Sequence, residues 1–119
     1  MEWQIEFYET ERGNCPVEDF FKEIKDEKLK SKLCARITLL SEKGKYLIIP
    51  YAQKLKNTND IWELRLKYKK NQYRILYFIA QNNKIILVHA FIKKTQKTPD
   101  QHKRIAEERK RDWERRFVL

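Results

Sequence analysis

The sequence predicts an α+β fold in which an N-terminal strand and two helices pack on one face of a mainly antiparallel sheet, with a C-terminal helix closing the chain. Three observations carry this. Trp3, Ile5 and Phe7 alternate with Gln4, Glu6 and Tyr8, the period of a half-buried strand. Between Pro16 and Gly44 the apolar residues recur at helical spacing, and from Trp62 to Lys94 three alternating runs follow one another across short turns.

Each element has its own local warrant. In "RGNCPVEDFFKEI" a turn leads to a proline suited to the first helical position, with acids in the first turn and Val17, Phe20, Phe21 and Ile24 on one face. Leu29, Leu33, Ile37 and Leu40 continue a helical stripe up to Gly44, a C-terminal cap, so two helices, or one broken near Asp26 to Lys28, are expected. A short strand is expected around Ala52 to Leu55. The segment "KTP" opens the last helix, with Thr98 as N-cap and Pro99 in the first turn, and Ile105, Ala106, Trp113 and Phe117 form its narrow apolar stripe. A chain of 119 residues suits a single domain spanning 1–119.

Composition narrows the class. No apolar run approaches the roughly 20 residues of a membrane span, and the acidic alternating start is not a basic signal segment, so a cytoplasmic protein is expected. Cys15 and Cys34 form no CxxC pair and no zinc pattern, and free thiols are expected. The net charge of +10 is unevenly placed: residues 1–60 hold 11 Lys+Arg against 11 Asp+Glu, residues 61–119 hold 16 against 6. That asymmetry points to a polyanionic partner, nucleic acid or acidic protein.

Strand parity assigns these charges to a face. A two-residue turn at Asn82-Asn83 sets Ile79 opposite Ile86, Tyr77 opposite Val88, Ile75 opposite Ala90 and Tyr73 opposite Ile92. A loop from Tyr68 to Asn71 sets Leu66 against Tyr73, Leu64 against Ile75 and Trp62 against Tyr77; a one-residue slip buries Arg65 and exposes Trp62. One face is then apolar, with Tyr77 in the core. The other collects Glu63, Arg65, Lys67, Arg74, His89 and Lys93, with Arg65 directly opposite Arg74. Like charges set opposite are destabilising in a sheet, so either an anion sits there, or this is a solvated face with Glu63 paired to one arginine. Leu76, Phe78, Leu87 and Phe91 share this face, so Trp113 and Phe117 of the last helix, or a partner, must cover part of it. Lys54, Lys56, Lys69 and Lys70 read as loop or edge lysines.

The ordered pieces "WELR", "YRILYF" and "FIKKTQKTP" resemble the RelE/ParE superfamily of bacterial type II toxins, and more closely its HigB or phage-derived Gp49-like branch. The resemblance covers most of the chain. It implies a RelE-like fold and a toxin that enters the A site of the 70S ribosome, cleaves mRNA there and is neutralised by a cognate antitoxin, of helix-turn-helix, HigA-like type, in a complex that can be a heterotetramer. Carried over by position, it implies catalytic roles for Arg65, Arg74 and the pair Lys93 and Lys94, with no metal or cofactor. Guanidinium groups suit the charge that builds on phosphate oxygens when a 2′-hydroxyl attacks. A lysine crowded by cations, Lys93, or the imidazole of His89 could carry the proton. Lys54, Lys56 and Lys67, with Lys103, Arg104 and Arg109 of the last helix, are the positions expected to meet RNA backbone; an acidic antitoxin would suit the same helix. Two alternatives remain: a ParE-like inhibitor of DNA gyrase without nuclease chemistry, and a degenerate relative that binds only RNA or its antitoxin.

Overall fold

The structure is a computed structural model describing residues 2–94 and 97–118. Strand β1 (Gln4–Phe7) is followed by helices α1 (Pro16–Lys22) and α2 (Glu27–Lys43), strands β2 (Ala52–Lys54), β3 (Trp62–Tyr68), β4 (Asn71–Ala80) and β5 (Lys84–Lys93), and helix α3 (Asp100–Phe117). The strands form one sheet in the order β1-β5-β4-β3-β2, antiparallel except for the parallel pair β1–β5. After β1 the chain crosses one face of the sheet as α1 and α2, starts again at the far edge as β2, and returns strand by strand until β5 lies beside β1.

Local chemistry places the helix ends. Pro16 opens α1, and Asp26 caps α2 by accepting from the backbone N–H groups of Lys28 and Leu29. Gly44 ends α2 at φ 55°, where its N–H donates to the Leu40 carbonyl. A β-carbon there would lie 2.0 Å from the Trp3 ring. Gly44→Ala is therefore expected to cost about 2–4 kcal/mol, from backbone strain and overpacking together, read as a fall in the urea midpoint at unchanged m.

Two apolar layers sandwich the sheet. Leu64, Leu66, Tyr73, Ile75, Tyr77, Ile85 and Leu87 pack with Val17, Leu29, Leu33 and Leu40 of α1 and α2. On the opposite face Leu76, Phe78, Ile86, Val88 and Phe91 pack with Ala106 and Trp113 of α3. The β3–β4 register is the predicted one, Arg65 opposite Arg74 included, closed by a two-residue turn at Lys69-Lys70.

The β4–β5 register departs from expectation. Its loop is Gln81-Asn82-Asn83, closed by Ala80 opposite Lys84, so Ile79 faces Ile85 and Tyr77 faces Leu87. A β-bulge at Val88 absorbs the extra residue, and the predicted pairs Ile75–Ala90 and Tyr73–Ile92 are recovered beyond it. Leu87 consequently joins the α1–α2 core, while Ile86 and Val88 turn toward α3, the reverse of the predicted faces.

At the other end of the chain, Thr98 does not cap α3. Pro99 holds the N-cap position, and the Thr98 hydroxyl is turned to the Glu63 carboxylate instead. Trp113 covers the sheet, 5.6 Å from the Phe78 ring, but Phe117 is 58% exposed. Among the described residues no helix is long and apolar enough to cross a membrane, and Cys15 and Cys34 are free.

Candidate nucleic-acid interface

Helix α3 covers only part of its sheet face. Where β3 ends, β4 begins and β5 ends, strand parity puts Arg65, Lys67, Arg74 and Lys93 on this face, with Lys67 exposed, Arg65 and Lys93 half-buried and Arg74 buried. A groove of about 340 Å³ runs between this corner and the start of α3, lined by Lys56, Arg65, Lys93, Lys97 and Lys103, with Glu63 as the one carboxylate among the described residues. Gln53 and Thr98 also line it. Five cations around one acid make a site for an anion.

Glu63 organises the floor. It is 2% exposed, accepts from the Thr98 hydroxyl, and lies 3.4 Å from Arg74 Nε and 3.9 Å from Arg65 Nε. Arg74 is equally buried. Its other donors go to the Tyr73 carbonyl, at 3.0 Å, and to the Gln72 side chain. Burial pulls the Arg74 pKa below the usual guanidinium value, with Glu63 opposing the shift and Arg65 adding to it. Of the solvated-face alternative only the pairing is found, and with both arginines; Glu63 and Arg74 are buried, so this part of the face is not solvated.

Arg65 is the partly open member of this cluster, reaching Gln53 Oε1 at 3.4 Å. Lys93 stands in the field of the cluster. Burial lowers its pKa first, Glu63 raises it, and Arg74 and Arg65 lower it further. A lysine so placed surrenders its proton more readily than one in water.

The remaining candidates divide. Lys56 and Lys103 line the groove, the Lys103 ammonium donating to the Lys56 carbonyl at 3.1 Å. Lys67 lines a second cavity beside Arg65. Lys54 is exposed and paired with Asp60 at 2.6 Å, outside the groove lining. Lys94 and Arg104 are exposed, and neither lines the groove.

His89 and Arg109 are not where an RNA-facing role needs them. Arg109 is half-buried and donates to the carbonyl of Val88, the bulge residue, at 2.7 Å. His89 lies under α3, with Nε2 2.7 Å from His102 Nδ1 and its ring stacked on Phe91. Burial, with Arg109 and His102 adding to it, pushes its pKa down to about 4. Lys110 is likewise spent on structure, donating to the Asn59 carbonyl at 2.6 Å. Arg115 and Arg116 both pair with Asp112, Arg115 also with Glu11.

The histidines carry a pH prediction. A folded-state pKa of about 4 for His89 against about 6.5 unfolded means that the unfolded chain binds more protons between those values. Stability therefore falls as pH drops from about 6.5 to about 4 and takes no contribution from this group above that window. Urea midpoints measured across it are expected to decline, and His89→Gln to flatten the slope.

The sheet layered between α1–α2 and α3, with a cation-lined groove beside α3, defines a RelE-like α+β protein. The chain matches the family described as Phage derived protein Gp49-like (DUF891) over residues 19–111 and belongs to it, a family of RelE/HigB-like toxins. No curated protein matches the chain.

Proposed function

We propose that this chain is the toxin of a type II toxin–antitoxin module and a ribosome-dependent mRNA endonuclease, held inactive by a cognate helix-turn-helix antitoxin. The observation that carries the reading is the groove in which Arg65 and Lys93 converge over the buried Glu63–Arg74 pair. Family membership supports the toxin theme.

The chemistry assigned to the groove is attack of a ribose 2′-oxygen on the adjacent phosphorus. The O2′–P bond forms, the P–O5′ bond breaks, the departing O5′ takes a proton from water, and the products are a 2′,3′-cyclic phosphate and a free 5′-hydroxyl. Negative charge grows on the non-bridging oxygens, where the Arg65 fork binds the transition state more strongly than the ground state. Lys93 in its neutral form accepts the 2′-hydroxyl proton, which its lowered pKa favours. Arg74, too buried to meet RNA directly, acts as a positioning residue that fixes Glu63, which in turn tethers Arg65.

The test is mRNA cleavage in a purified translation system, mapped by primer extension with and without ribosomes. Cuts that require the ribosome are expected. Intact mRNA under conditions where another toxin of this class cuts would overturn the nuclease reading.

A further inference from the structure

Beyond the groove, the outer edge of β3 is left without a strand neighbour. Strand β2 pairs only with Trp62, Glu63 and Leu64, and past them the Arg65 N–H donates to the Tyr51 carbonyl at 2.8 Å. The Arg65 carbonyl faces the open edge, and the Arg36 guanidinium, arriving from α2, donates to it. Around this point lies a cavity of about 430 Å³ whose lining includes Arg36, Tyr51, Arg65, Lys67, Gln72 and Arg74 and, among the described residues, no carboxylate.

A protective cap on an exposed edge carbonyl accounts for Arg36 in part. It does not account for the rest. Capping one carbonyl takes one of five guanidinium donors, and among the described residues Arg36 forms no ion pair. Burial lowers its pKa and Tyr51 opposes the shift; with no ion pair among the described residues, an anion arriving here meets a guanidinium that no carboxylate neutralises. Lys67 adds a further, exposed cation. Tyr51 supplies an aromatic surface: the Arg36 guanidinium lies 4.8 Å from its ring centroid, yet the residue is 41% exposed. Cations beside an open aromatic ring form the combination that holds single-stranded nucleic acid, phosphate on the charge and base on the ring. The volume is in the range of small-ligand pockets and suits one nucleotide, not a duplex.

We propose that this cavity is a second RNA subsite, continuous with the groove through Arg65, in which Arg36 and Lys67 hold the neighbouring phosphate and Tyr51 stacks its base. The inference rests on the RNA reading of the groove and extends it to residues on α2 and the β2–β3 edge. Arg65 lines both cavities, so its guanidinium stands between two successive phosphates of one strand.

The test is fluorescence anisotropy with a labelled, fully 2′-O-methylated RNA octamer, which cannot be cleaved, titrated with the full chain at several salt concentrations. Tyr51→Leu is expected to weaken binding about tenfold, with Tyr51→Phe close to wild type. Lys67→Ala is expected to make the salt slope shallower by about 0.7, and Lys84→Ala, on the far side of the sheet, to change little. Both Tyr51 and Lys67 are accessible, so neither substitution removes core packing. Binding indifferent to Tyr51→Leu and Lys67→Ala overturns the subsite, as does tighter binding of labelled poly-glutamate that is lost on the same substitutions, which assigns the cavity to an acidic protein segment. Ribosome-dependent cleavage by the wild type combined with indifferent binding overturns the subsite alone. Weakened binding in both variants without any cleavage by the wild type overturns the nuclease and keeps the subsite.

Discussion

Arg65→Ala is expected to lower ribosome-dependent mRNA cleavage by about 10²–10³-fold, the usual loss when one preorganised donor is withdrawn from charge developing in a transition state. The site explains why this arginine outranks its neighbours. Arg74 is buried beside Glu63, whereas Arg65 is partly open and lines the groove. Arg65→Lys keeps a charge but loses the planar fork, and is expected to recover only part of the rate. A second readout separates chemistry from mere folding. Arg65 is one of the cations that hold the Lys93 pKa down, so its removal raises that pKa. If neutral Lys93 is the proton acceptor, the rising limb of the pH–rate profile in Arg65→Ala moves to higher pH. In Lys93→Ala that limb is lost, with a rate loss of about 10²–10⁴-fold. Wild-type cleavage by Arg65→Ala would remove the groove from consideration as the reaction site.

Much of the fold was legible because local rules and tertiary packing agreed. Pro16, Asp26 and Gly44 mark helix ends by their own chemistry, and the β3–β4 register follows from apolar parity and a two-residue turn. The β4–β5 register was legible only past the bulge. Two asparagines suggest a two-residue turn, but both adopt positive φ within a three-residue loop, and Val88 compensates further along the strand. Nothing local distinguishes these solutions, since both leave the outer pairs unchanged.

The site was legible in outline and obscured in depth. Parity placed Arg65, Arg74 and Lys93 on one face, as found, but could not show that Arg74 is buried with Glu63. An acid two residues from Arg65 on the same strand face was the available signal for Glu63. Arg109 read as a surface cation because its acceptor is the backbone carbonyl of Val88, which leaves no trace in residue types, and the Asn59 carbonyl holds Lys110 in the same way. Arg36 was missed for the same reason, its acceptor being the Arg65 carbonyl at a sheet edge.

Replacing Glu63 gives the largest expected change in stability. Glu63→Ala leaves Arg74 buried without its counter-charge and the Thr98 hydroxyl without its acceptor, a loss expected at about 3–5 kcal/mol. The Arg74 Nε atom makes no hydrogen bond even in the intact pair, so proximity of charge, not a donor–acceptor contact, compensates it there. Glu63→Gln keeps an oxygen for Thr98 but removes the charge, and is expected to fall between Ala and wild type. Removing both charges as Glu63→Leu with Arg74→Met should restore most of the stability, because a buried ion pair gains little over well-packed apolar groups of similar volume. Urea unfolding of Glu63→Leu, Arg74→Met and the double variant closes a thermodynamic cycle. Additive losses would show that Arg74 is compensated elsewhere. The double variant then tests the positioning role. Folded but without Glu63, it frees Arg65 from one side-chain tether and leaves it Gln53, and is expected to lose cleavage although both altered residues are buried. Wild-type cleavage in that variant would confine the Glu63–Arg74 pair to stability and leave Arg65 and Lys93 to carry the chemistry without it.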